Sequence, residues 1–89
     1  MTDRQTYPEI AQRLGAVRAV FSTLSRKDWA TAQGFKVSQY NNWENGTRRI
    51  PLEAADRFCE QFSLTLDWIY RGKWAGLPKD VSEELRKHL

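Results

Sequence analysis

Between residues 36 and 49 the chain gathers side chains suited to recognition chemistry. Ser38, Asn41 and Asn42 carry one hydroxyl and two carboxamides on what becomes a single face if the segment is helical. A carboxamide offers an acceptor and two donors side by side, which suits bidentate contact with a purine edge such as adenine N6 and N7. Val37 adds a small apolar surface that suits a thymine methyl, and Ser38 suits either base. Residues 26–49 hold Arg26, Lys27, Lys36, Arg48 and Arg49 against only Asp28 and Glu44. Residues 50–89 carry six basic and seven acidic side chains, so the positive charge is a patch in the middle of the chain. A basic patch is the electrostatic footprint of a polyanion partner.

Other chemistries find little to work with. The 89 residues include one cysteine, Cys59, and one histidine, His88. That excludes an internal disulfide and any zinc site of ordinary type. No paired carboxylates, Cys-His pair or Ser-His-Asp set falls within one plausible cleft, so the expectation is no enzyme, no cofactor, no metal and no small-molecule ligand. No apolar run exceeds three residues, as in Ala19-Val20-Phe21, which argues against a membrane span or a signal peptide. Net charge is +3, with 40% apolar and 28% charged residues, an ordinary globular balance. One small cytoplasmic domain is expected, with a modest core.

The elements that must position these residues all read as helices, and no stretch alternates with a period of two. Thr6-Tyr7-Pro8-Glu9 has the form of a capping box, and Ile10, Leu14, Val17 and Phe21 follow on one face of a helix reaching about Ser22. Ser25 caps a second helix of about nine residues that stops at Gly34. Lys36 stands at the entry of a third helix, regular from Ser38 to Asn45 and closed by Gly46. Pro51 opens a fourth helix at its first position, with Leu52, Ala55, Cys59 and Phe62 as its buried face. Thr65 caps a fifth helix, Leu66 to Arg71, that ends at Gly72. Residues 73–77 connect to a last helix, started by Pro78 or by a capping box of Asp80 with Glu83.

Two short helices joined through a glycine turn form the bihelical unit that reads DNA. Residues 26–45 match its pattern: small Ala30 at the crossing, Gly34 in the turn, and Trp29, Phe35, Tyr40 and Trp43 facing inward. Leu24-Ser25, Trp29-Ala30, Gly34, Tyr40 to Gly46 and Leu64 to Gly72 together resemble the Cro/lambda-repressor-like helix-turn-helix regulators, the XRE family. The resemblance covers about residues 8–73, and Leu64-Thr65-Leu66-Asp67-Trp68-Ile69-Tyr70-Arg71-Gly72 is its most specific piece. Arg26 stands where the family usually has Gln, and Lys36 where it usually caps the recognition helix with Ser or Thr. The first helix aligns with one extra residue near Ser22-Thr23.

The resemblance implies an all-α fold: a five-helix lambda-repressor-like bundle over 6–73, and a C-terminal extension, 74–89, forming a sixth helix. It implies a bacterial or prophage-type transcriptional regulator, usually a repressor, that binds double-stranded operator DNA as a homodimer. Matched residue by residue, Val37, Ser38, Asn41 and Asn42 read bases. Arg26, Lys36, Asn45, Thr47, Arg48 and Arg49 bracket the reading helix and contact phosphate. Glu44 pairs with Arg18 of the first helix and sets the angle of the reading helix. Trp74, Leu77, Val81 and Leu85 form either a sixth packing helix or a dimer surface, and dimer participation is the expectation. The competing reading is a protein-interaction module on the same fold, an antitoxin or phage adaptor, for which an apolar third-helix face would speak.

Overall fold

Helix ends follow the local punctuation of the sequence more closely than helix starts do. The computed structural model describes residues 6–89. Within them the chain forms α1 (Pro8–Phe21), α2 (Arg26–Ala32), α3 (Val37–Asn45), α4 (Leu52–Phe62), α5 (Leu66–Arg71) and α6 (Lys79–Arg86), with no strand among the described residues. Ser25 Oγ accepts from the Asp28 N–H at 3.1 Å, and Thr65 Oγ1 accepts from the Trp68 N–H at 3.0 Å. Both hydroxyls satisfy a backbone donor that the first helical turn leaves open.

The Thr6 capping box does not form. Tyr7 is the N-cap of α1 and gives no side-chain bond. Instead the backbone N–H groups of Thr6 and Tyr7 both donate to Gly46 O, each at 2.9 Å. The entry of α1 is thereby pinned to the exit of α3. Gly46 sits at φ +81°, and a Cβ there would come within 3.2 Å of Tyr7 O, so glycine serves both the turn and the close approach. The Asp80–Glu83 box is also absent: α6 starts after Pro78, and Asp80 Oδ1 accepts only from the adjacent Val81 N–H.

The core is an aromatic stack enclosed by aliphatic side chains. Trp29 of α2 stacks on Phe58 and Phe62 of α4 at 6.0 and 5.8 Å, and Phe21 continues the stack onto Phe62 at 4.5 Å. Phe35, in the turn between α2 and α3, meets Trp43 and Phe58 edge-on. Leu14, Val17, Tyr40, Ile50, Trp68 and Ile69 close the interior. Each large apolar side chain so buried contributes about 1.5–3 kcal/mol. Leu52 departs from the expected face of α4, since it is 60% exposed. The buried side runs through Ala54, Ala55 and Phe58, roughly a third of a turn away from Leu52.

Residues beyond 73 complete this core. Helix α6 lies against α1, and Leu85 is fully buried. Trp74 packs edge-on against Trp68, ring centres 5.7 Å apart, and the Arg86 guanidinium lies 4.1 Å from the Trp74 ring centre. Trp74, Leu77 and Val81 are half-buried against the same cluster. Leu85 is therefore not a dimer contact, because its side chain already fills the protomer's own interior.

Candidate nucleic-acid interface

Glu44 is the fixed point of the site. Its side chain is only 3% exposed, and its two oxygens accept four donors. Arg18 of α1 donates bidentately, Nε to Oε2 and Nη2 to Oε1, each at 2.9 Å. The Tyr40 hydroxyl donates to Oε2 at 2.6 Å, and Arg26 Nε donates to Oε1 at 3.2 Å. Arg18 Nη1 also donates to Leu24 O at 3.2 Å, which ties in the link before α2. Helices α1, α2 and α3 thus meet at one carboxylate. Burial pushes the Glu44 carboxyl up, but the Arg18 and Tyr40 hydrogen bonds and the charges of Arg18 and Arg26 hold it below the ordinary value. Burial and the Glu44 carboxylate push the Tyr40 hydroxyl far above its ordinary range, so it stays a proton donor.

This anchoring turns the other side of α3 outward. Ser38, Gln39 and Asn42 are exposed, and Val37 and Asn41 are half-buried at the rim of that face. Lys36 is exposed at the N-terminal end of α3 and provides no side-chain cap, which leaves the first N–H groups of the helix open to an outside acceptor. Arg48 and Arg49 are exposed just past its C-terminal end. The loop that carries them is held in place. The N–H groups of Thr47 and Arg48 donate to Asn42 O at 3.0 and 3.2 Å, and Tyr70 Oη donates to Ile50 O at 2.7 Å. Arg49 lies 5.9 Å from the centre of the Tyr70 ring. Arg48, Arg49, Thr47, Tyr7 and Tyr70 line an open groove of about 790 Å³ beside the end of α3.

Three of the expected phosphate contacts, Arg26, Asn45 and Thr47, have partners within the fold. Arg26 bonds Glu44 through Nε and Asn45 Oδ1 through Nη1 at 2.6 Å, so much of its donor capacity and charge is used within the fold. Thr47 Oγ1 lies 3.2 Å from Asn42 O and 3.3 Å from Asn42 Oδ1, so its single hydroxyl hydrogen is directed at Asn42. Among the expected phosphate contacts, the exposed cations are Lys36, Arg48 and Arg49. Gln39 was missed at the sequence level. It flanks Asn42, Arg48 and Arg49 on the exposed side of α3, and its polar type at a helix-surface position was the only available signal. The hydroxyl role of Tyr40 was also missed, although its spacing of four from Glu44 is the spacing of facing side chains on a helix.

Among the described residues, no cluster of His, Cys, Asp or Glu could hold a metal ion, and no helix is long and apolar enough to cross a membrane. Comparison with protein-family models, with curated proteins and with solved structures gives no match.

Proposed function

We propose that this chain is a sequence-specific, double-stranded DNA-binding regulator of the Cro/lambda-repressor-like helix-turn-helix type. It lays α3 in the major groove and acts as a repressor by occupying an operator. The observation that carries this reading is the outward face of α3. Ser38, Gln39, Asn41 and Asn42 offer hydrogen-bonding groups with no core to support, between Lys36 at one end and Arg48 and Arg49 at the other. Poor helix formers on a helix surface cost stability, and a groove full of donors and acceptors gives them a use. An apolar α3 face, which would speak for a protein partner, is not what the chain presents.

Binding is as a homodimer, because one reading helix covers too few base pairs to select a site from a genome. With Leu85 in the core, the exposed Leu52 beside Pro51 offers an apolar contact for a second copy. A salt-titrated mobility-shift assay on genomic fragments tests the reading. Selected fragments should bind with a steep inverse dependence on salt. Footprints should show two-fold symmetry, with half-sites centred about 34 Å apart. Binding without sequence selection, or a footprint lacking symmetry, would overturn it.

A further inference from the structure

Asn42 is exposed where Asn41 is half-buried, yet its amide is held from the loop side. Asn42 O already takes the N–H groups of Thr47 and Arg48, and the cap N–H of Gly46 is also directed at it. The Thr47 hydroxyl lies 3.2 Å from the same Asn42 O and shares its single hydrogen between that crowded carbonyl and the side chain. The other acceptor within reach of that hydroxyl is Asn42 Oδ1, at 3.3 Å. A Thr47 hydrogen bond to Oδ1 turns the carbonyl end of the carboxamide back toward the loop. It leaves Nδ2, with two N–H donors and no partner among the described residues, facing out. Asn41 has no such restraint, and its carboxamide keeps both donor and acceptor for an incoming edge.

The two asparagines are therefore chemically different readers. A carboxamide with both ends available matches adenine, which presents an acceptor at N7 and a donor at N6. A carboxamide restricted to its N–H groups matches guanine, which presents acceptors at both N7 and O6. Against adenine it leaves N6 without an acceptor, and against cytosine it sets donor against donor. We propose that Thr47 is a positioning residue that holds Asn42 as a hydrogen-bond donor and so assigns guanine, not adenine, to the base opposite Asn42. The base assignment rests on the DNA-binding reading above; the orientation of the amide does not.

Binding-site selection from a random duplex pool tests the assignment with the parent chain, Thr47→Ser, Thr47→Val and Asn42→Ala. Asn42→Ala identifies the column that Asn42 reads, as the one whose preference it abolishes. That column should be guanine for the parent and for Thr47→Ser, which keeps the hydroxyl. Thr47→Val should lower its guanine-to-adenine ratio by about tenfold, the order expected when a bidentate contact becomes possible to the other purine. Adenine in that column for the parent, or an unchanged ratio in Thr47→Val, would overturn the assignment. The free protein supplies a second arm. Side-chain amide NMR signals of Asn42 should move in Thr47→Val and stay in place in Thr47→Ser, and signals indifferent to both changes would overturn the orientation. If the amide responds as expected while the parent selects no sequence, the DNA reading fails, the base assignment fails with it, and the orientation stands.

Discussion

The Tyr40 hydroxyl and the Glu44 carboxylate, one turn apart on α3, share a 2.6 Å hydrogen bond inside the protein. That bond makes α3 present one side of itself inward as a rigid unit, with Arg18 closing on the same carboxylate from α1. Removing Tyr40 Oη leaves the buried carboxylate one donor short, at a cost of about 1–3 kcal/mol. Tyr40→Phe should therefore lower the urea midpoint clearly. Glu44→Ala should lower it further, because Arg18, Arg26 and Tyr40 all lose their acceptor. A midpoint unchanged in both variants would show that the network does not hold α3.

The same carboxylate sets a pH dependence. The folded pKa of Glu44 lies below its ordinary value of 4.5, so the unfolded chain takes up the proton first as pH falls. The stabilisation is fully present above the ordinary carboxylate range. It is lost as pH drops through 4.5 toward the depressed folded value. Denaturation midpoints measured from neutral pH down into this range should fall, and Glu44→Gln should flatten that part of the curve. An equally steep curve in Glu44→Gln would assign the effect to other carboxylates.

Arg48 and Arg49 should behave differently from Arg26. Arg48→Ala and Arg49→Ala should each reduce the slope of log affinity against log salt by about one per protomer and weaken specific and non-specific binding alike. Arg26→Ala removes donors from Glu44 and Asn45, so its larger effect should fall on thermal stability. The comparison fails if Arg26→Ala changes the salt slope as much as Arg48→Ala does.

On the proposed DNA reading, Asn41 supplies discrimination without structural duty. Asn41→Ala should reduce affinity for a selected site by about tenfold, in line with loss of a bidentate base contact, and leave non-specific binding and the melting temperature nearly unchanged. Equal losses on selected and random duplex would remove Asn41 from the reading set.

Leu85 tests the role of α6. As a fully buried leucine it should cost about 2–5 kcal/mol when truncated to alanine. That loss should be independent of protein concentration, as befits packing within one protomer. A loss that fades as concentration rises would return Leu85 to a subunit interface.

Much of the helical framework was legible because its signals are local. Ser25 and Thr65 cap the helices they precede, and Gly34, Gly46 and Gly72 end helices because each residue's own backbone conformation demands it. What escaped depends on distant partners. Nothing near Thr6 reveals that its N–H belongs to Gly46, forty residues on. A stripe of Trp74, Leu77, Val81 and Leu85 looks the same whether a second chain or α1 covers it. Arg26 and Thr47 were the right types for phosphate contact, and only the folded geometry shows their donors already committed to Glu44, Asn45 and Asn42. The Arg18–Glu44 contact was expected from family resemblance alone, since no local pattern joins residues in different helices.

The edge-on meeting of Trp68 and Trp74 has an optical consequence. Two indole chromophores whose ring centres lie 5.7 Å apart, with planes inclined at 60°, couple their ultraviolet transitions. Trp68 belongs to α5 and Trp74 to the connector that leads into α6, so the coupled circular-dichroism band reports whether that connector is docked. Trp29 and Trp43 lie elsewhere, in α2 and α3, and supply an ordinary fluorescence background. The protein thus carries a built-in spectroscopic report on its carboxyl-terminal clasp, with no label attached.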